Sequence, residues 1–184
     1  SELIFNKLKN LDEQGQNPFE NLDLTNLNDA ESQKLIEEAV NSIQNPMLLS
    51  ANTIDNSQLK ILLDNSKEAK ETYLDNIQKI TQERFSDPKY QRDAEQLVNS
   101  INNDCFVGEQ NSLNREFSSL YENLINDYLG LTVPSDWVDI HKKIIIYFKK
   151  ANLVYRDLAN CFNDPIRGYV ALWALPQLIE EGQQ

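Results

Sequence analysis

Apolar residues recur at spacings of three and four along nearly the whole chain, and no stretch alternates apolar with polar side chains between turn residues. The pattern predicts helices almost throughout. Residues 1–27 fit it least: "SELIFNKLKNL" offers a short helix through Leu3, Ile4, Leu8 and Leu11, and "EQGQNPFENLDLTN" reads as loop. Asn28 and Glu31 then form a capping-box pattern. It opens a helix that carries Ile36, Ala39, Val40 and Ile43 on one face and ends at Pro46.

A long helix is predicted over Ser57–Phe85, with Leu59, Leu62, Ser66, Ala69, Tyr73, Ile77 and Ile80 along one side. "SDP" at 86–88 ends it and starts another, because Asp87 caps free amides and Pro88 lacks the N–H that a first turn cannot use. This next helix presents Tyr90, Ala94, Leu97 and Ile101 and leads into the loop "NDCFVGEQN". The following one, roughly 112–129, shows Leu113, Phe117, Leu120, Tyr121, Leu124 and Tyr128, with Gly130 where a left-handed cap is expected.

The clearest helix starts at Ser135 as cap. Trp137, Ile140, Ile144, Tyr147, Phe148, Ala151, Val154, Tyr155, Leu158 and Phe162 fall within a stripe about 120° wide, with His141 at its edge. Ile146 and Leu153 lie on the opposite side, flanked by Lys142 and Lys149. A helix with two apolar faces either lies at the centre of a bundle or carries an interaction surface at Lys142, Ile146, Lys149 and Leu153. Asp164 and Pro165 begin a last helix, "IRGYVALWALPQLIEE", whose apolar residues surround the axis as in a helix buried by its neighbours. Short connections favour antiparallel neighbours. The expected fold class is all-α, an up-down helical bundle of five or six helices, with residues 28–184 as a single domain.

Charge narrows the list of partners. Residues 1–133 hold 11 basic and 23 acidic side chains, a balance of −12, whereas 134–184 hold six of each. A net negative field repels phosphate backbones, so nucleic acid is not an expected partner. No apolar run is long enough for a membrane span. The chain begins at Ser1 without Met, which leads us to expect a processed or trimmed start, and hence membrane association only through a removed N-terminal segment.

Candidate chemistry is sparse. His141 is the sole histidine, and a nucleophile-activating histidine needs a Ser or Cys within reach and a third group to orient it. Its neighbours Ser135, Asp136 and Asp139 belong to the same helix start, so a structural role is expected, the ring half-buried with one nitrogen paired. The motifs of a phosphate loop, a Cys-x-x-Cys pair or a calcium loop are not found, and no metal or cofactor is expected. Cys105 and Cys161 follow helices whose antiparallel arrangement would bring them to one end of the bundle. They either pair, closing a long loop, or remain two buried thiols.

The segment "TVPSDWVDIHKKIIIYFKKANLVYRDLANCFNDPIRGYVAL" resembles a pattern recurring in uncharacterised helical proteins of ultra-small candidate-phyla bacteria. The matching positions are Val133, Pro134, His141, Lys142, Asp164 and Pro165, and the resemblance covers about a quarter of the chain. Such proteins often begin with a membrane-crossing or secretion segment, which implies an extracytoplasmic location; this agrees with the option of a disulfide. The resulting expectation is a non-enzymatic, all-helical extracytoplasmic interaction or structural protein of the cell envelope, with another protein as partner. The alternative is a helical binding protein with a small-ligand or peptide groove lined by Trp137, Tyr155, Tyr169 and Trp173. The oligomeric state is left open.

Overall fold

The computed structural model describes residues 53–90, 99–101, 104–105 and 113–183. These residues are mostly helical, 79% of them, with one small two-stranded parallel sheet. The expectations for residues 1–52, including the segment 1–27 and the helix opened by Asn28, lie outside the described residues, as does the middle of the helix expected over 88–101.

The first departure from the periodicity is at 57–66. Here the chain makes a 3₁₀ turn, Asn56–Gln58, then strand β1, Lys60–Leu62, and only afterwards helix α1, Lys67–Phe85. Local side-chain bonds compete with a continuous helix in this stretch. Asp55 accepts from the Ser57 amide at 2.8 Å while Gln58 Oε1 accepts from the Asp55 amide at 3.1 Å. Ser66 then caps α1 by accepting from the Ala69 amide at 3.2 Å. Between these caps, β1 pairs in parallel with β2, Thr132–Pro134, in the register Lys60 to Thr132, Ile61 to Val133 and Leu62 to Pro134. A three-residue strand has no periodicity to detect. Pro134 sits at the end of its strand, where the missing N–H interrupts nothing further along.

Helix α2 covers Leu113–Gly130. Gly130 is its last helical residue and does not take the expected left-handed conformation. The helix end is closed otherwise: the Leu131 amide donates to Tyr128 O at 3.0 Å, and Lys60 Nζ donates to Gly130 O at 3.1 Å. The chain thereby runs from α2 directly into β2. Ser135 is likewise not a helix cap. Residues Ser135–Trp137 form a 3₁₀ turn whose Ser135 hydroxyl exchanges hydrogen bonds with Asn65, and helix α3, Val138–Ala159, begins after it.

Helix α4, Pro165–Gly182, starts as the Asp-Pro pair predicts: Asp164 accepts from the Arg167 amide at 3.1 Å, and Pro165 stands in the first turn. Lys150 Nζ meets the Glu181 carboxylate at 2.7 Å while Cys161 faces Gly168, so the beginning of α4 lies by the end of α3 and its end by the middle of α3. On the other side of α3, Asn152 bonds Ser118 O at 2.8 Å and Tyr128 stacks on His141, the same reversal against α2. Arg84 of α1 grips Asp127 of α2 through two parallel bonds at 2.6 and 3.0 Å.

Three apolar clusters hold these elements. Ala151, Val154, Tyr155 and Leu158 of α3 pack on Ala171, Ala174, Leu175 and Leu178 of α4, with Ile101. Leu120, Leu124 and Tyr128 of α2 pack on Ile145, with Ile54. Tyr73, Val133 and Val138 form the third. In the first half of α3 the buried line is therefore Val138, His141 and Ile145, turned by one residue from the expected Trp137, Ile140 and Ile144; Ile140 is 57% exposed. The reason is His141, which counts as polar in any periodicity yet is wholly buried against Tyr73.

Candidate functional site

Cys105 and Cys161 are joined as a disulfide across 56 positions of sequence. Each is presented by a short, strongly held segment. Next to Cys105, the buried Asp104 accepts from Asn114 Nδ2 at 2.6 Å, which ties that segment to the start of α2. Cys161 lies in the turn after α3, where its amide donates to Leu158 O and the amides of Asn163 and Asp164 both donate to Asn160 O at 3.0 Å. Gly168 of α4 sits directly over Cys161. The disulfide thus fastens the segment before α2 to the turn that connects α3 with α4.

Beside this turn is a cleft of about 310 Å³, lined by Arg115 and Ser118 of α2, Arg156, Asp157 and Ala159 of α3, Asn160 of the turn, and Arg167 of α4. Asp157 is buried and accepts from Arg156 Nε at 3.1 Å through Oδ1, whereas its Oδ2 has no hydrogen-bond partner. Arg167 Nε stands 3.5 Å from Asp164 Oδ2. Sequence reasoning did not find this cluster. Its three arginines are 11 to 52 positions apart, so no motif spacing exists; the one available signal is that the chain has only five arginines and three of them lie beyond Asn114.

The second feature is the outer face of α4. Val170, Ala171, Ala174, Leu175 and Leu178 are buried, while Leu172, Trp173 and Ile179 are 40%, 47% and 45% exposed. At 100° per residue, Tyr169, Leu172, Trp173, Pro176 and Ile179 share one face opposite the buried one. The apolar residues around this helix therefore do not mean burial on all sides, as the sequence had suggested. One half packs on α3 and the other half is a mostly apolar surface that the exposed Glu180 interrupts in the last turn.

His141 is the buried polar group nearest to chemistry. Its Nδ1 lies 2.8 Å from Tyr73 Oη, and its ring is sandwiched by Tyr73 edge-on and Tyr128 face-on. Desolvation pushes the Tyr73 hydroxyl up to about 12, so it keeps its proton and donates to Nδ1. The ring proton then sits on Nε2, which meets no acceptor at hydrogen-bonding geometry. Burial holds the imidazole below its ordinary value of 6.5, with the backbone carbonyl of Tyr128 opposing the shift. A folded-state pKa below the unfolded one means the unfolded chain binds the extra proton. Stability contributed by neutral His141 is thus full above pH 6.5 and is lost as pH falls from 6.5 toward the folded value, by at most about 1.4 kcal/mol per pH unit. Urea melts between pH 5 and 7 should show this slope in the wild type and lose it in His141→Leu; equal slopes would refute the assignment.

The four residues proposed for an aromatic groove do not converge. Trp137 packs edge-on to Tyr73 under Lys70, at the start of α3. Tyr155 is about 27 Å further along the same helix. It is core, stacked between Phe117 and Tyr121 at 5.0 and 5.7 Å. Tyr169 and Trp173 do neighbour one another, at 6.2 Å, on α4. Of the face proposed for interaction, Lys142, Ile146, Lys149 and Leu153 are all half-buried. Ile146 leans on the cluster around Ile54, and Lys149 Nζ donates to Thr53 O at 3.4 Å. This side of α3 is thus partly covered by residues 53–54. Among the described residues no three His, Cys, Asp or Glu side chains gather as a metal site, and no helix is long and apolar enough to cross a membrane. No family model, no curated protein and no solved structure matches the chain.

Proposed function

We propose that the chain is a non-enzymatic, all-helical interaction or structural protein of a bacterial cell envelope, folded outside the cytoplasm, and that its partner is another protein. The observation that carries this reading is the outer face of α4, where Leu172, Trp173, Pro176 and Ile179 form an apolar surface on an otherwise acidic chain. Exposed contiguous apolar surface on a helix costs solubility, and a tryptophan flanked by aliphatic residues is the composition of an interface centre. The Cys105–Cys161 bond supports folding in an oxidising compartment, in line with the secretion that the sequence resemblance implies. An up-down arrangement of the helices, supported by the reversed contacts of α3 with α2 and α4, leaves this face pointing outward.

The test uses the doubly substituted Leu172→Asp/Trp173→Glu chain. Both side chains are exposed, so its unfolding free energy should stay within about 1 kcal/mol of the wild type. Binding to the envelope protein fraction, measured as saturable retention against a competing excess of the free chain, should weaken at least about tenfold, the loss of a single interface anchor. Undiminished retention would remove α4 as the contact surface. Hydrolytic or transfer activity lost on replacing His141 or Asp157 in a folded chain would end the non-enzymatic reading.

A further inference from the structure

Strand β1 has an open side. Among the described residues its one neighbour is β2, which runs parallel to it with Ile61 opposite Val133 and Leu62 opposite Pro134. In a parallel pair, alternate residues of a strand turn both their N–H and their C=O toward the neighbour. Ile61 is not such a residue, because its carbonyl would have to accept from the amide of Pro134, and proline has none. Lys60 and Leu62 therefore face β2, and the N–H and C=O of Ile61 point to the opposite edge, where no other strand lies among the described residues.

The side chains at this edge are apolar and in water. Leu63, the next residue of the same parity, is 87% exposed where the strand ends in a bend, and Ile61 and Leu62 are 37% and 38% exposed. An uncovered apolar edge is a template for a further strand, and native folds blunt it with a charge, a proline, a bulge or a covering loop. Here the one guard on the strand is Lys60. A carboxylate on the incoming strand turns that guard into a contact.

The order of charges selects the occupant. Lys60 opens the stretch and Asp64 follows it, both exposed. A second copy laid antiparallel about a two-fold axis through Leu62 sets Ile61 against Leu63 of the other copy and Lys60 against its Asp64, each contact occurring twice. Ile61 and Leu63 share the parity that a hydrogen-bonded antiparallel pair requires. An axis through Ile61 instead opposes Lys60 to Leu62 and loses both charge pairs. Lys60 Nζ already donates to Gly130 O, and Asp64 accepts from Ser66, yet an ammonium has three donors and a carboxylate about four acceptor sites, so both retain capacity. We infer that the open edge of β1 is a self-association surface, where two copies join their sheets into one of four strands in the order β2, β1, β1, β2. The net charge of −12 does not prevent this, since at physiological salt charges further apart than about 8 Å are screened and the pairs at the seam weigh more than the distant acidic excess. The apolar area is small, so the dimer is reversible. This surface is separate from α4, and the inference does not rest on the reading of that helix.

Sedimentation of the oxidised full chain at about 0.15 M salt, from about 1 μM to about 1 mM, reads the association directly. A reversible monomer–dimer equilibrium is expected, with the Ile61 amide exchanging its hydrogen more slowly as concentration rises. Leu63→Asp should abolish the dimer and, at so exposed a position, leave the urea midpoint unchanged. Lys60→Glu and Asp64→Lys should each weaken it about fivefold or more, because each sets two like-charged pairs across the two-fold axis. The exchange Lys60→Glu/Asp64→Lys should bring it back to within about twofold of the wild type. A monomer throughout the range overturns the inference. So does a dimer that survives Leu63→Asp; if Leu172→Asp/Trp173→Glu removes that dimer, the copies meet through α4 instead. An exchange variant that associates no more tightly than its single parents overturns the register, and with it the choice of a second copy at this edge.

Discussion

Removing the Cys105–Cys161 bond is expected to lower the stability of the fold by about 4 kcal/mol. Closure of a loop of this length constrains the unfolded chain, and the loop-entropy relation for 56 residues gives that figure at room temperature. Against a typical total of about 5–15 kcal/mol, such a loss moves a domain close to half-unfolded under mild stress. The native side adds to the effect, because the bond is the covalent link between the segment before α2 and the α3–α4 turn. Equilibrium unfolding of the wild type, of the reduced wild type and of Cys105→Ala/Cys161→Ala should give one high and two low midpoints with similar slopes. If the three coincide, the bond does not form in the folded protein. Mass spectrometry then has to show the two extra hydrogens of free thiols already present before reductant is added.

Much of the helical order was readable because each long helix is bounded by local chemistry. Phe85 ends α1 before a Ser-Asp-Pro stop, and Asp164 with Pro165 opens α4, both through bonds between near neighbours. The errors share the opposite character. Residues 57–66 have helical periodicity, yet Lys60–Leu62 pair with a strand 72 positions away and Asn65 is bonded to Ser135. Long-range partners of this kind leave no trace in a local pattern. His141 misled for a related reason, since polarity places it at a helix edge unless one knows that Tyr73 supplies a hydrogen bond inside the core.

Sites show the same division. Helix order placed the two cysteines at one end of the bundle and so allowed a bond without choosing between it and two buried thiols; the structure joins them. Aromatic residues offered no such placement: Trp137 and Tyr155 share the apolar character of a groove, but helix rise alone separates them by about five turns. The arginine cleft could not be seen at all. Its residues come from three helices, and only the packing of Asn152 on Ser118 and of Gly168 on Cys161 brings those helix ends together.

Gly168→Ala should destabilise the protein by about 2–3 kcal/mol, although the exchange looks favourable by helix propensity. In an unobstructed helix interior alanine is better than glycine by about 1 kcal/mol. Here a methyl group would press on Cys161 Sγ and lie 2.6 Å from its Cβ and 2.8 Å from its Cα. The first atom is fixed by the bond to Cys105 and the last belongs to the backbone, so neither can move aside as a flexible side chain would. Overpacking of this kind costs about 1–3 kcal/mol, at times more, and with contacts this short it outweighs the propensity gain. Gly182 supplies the internal control. Its added methyl would also approach an atom at 2.5 Å, but that atom is Tyr147 Oη, the far end of a side chain that meets the last residue of α4. Gly182→Ala is therefore expected to change stability by less than about 1 kcal/mol. Urea midpoints for the two variants decide the matter. If Gly168→Ala is as stable as Gly182→Ala, α4 can slide away from Cys161 without loss, and the close approach of α3 and α4 at the disulfide is not what positions Arg167 over the cleft.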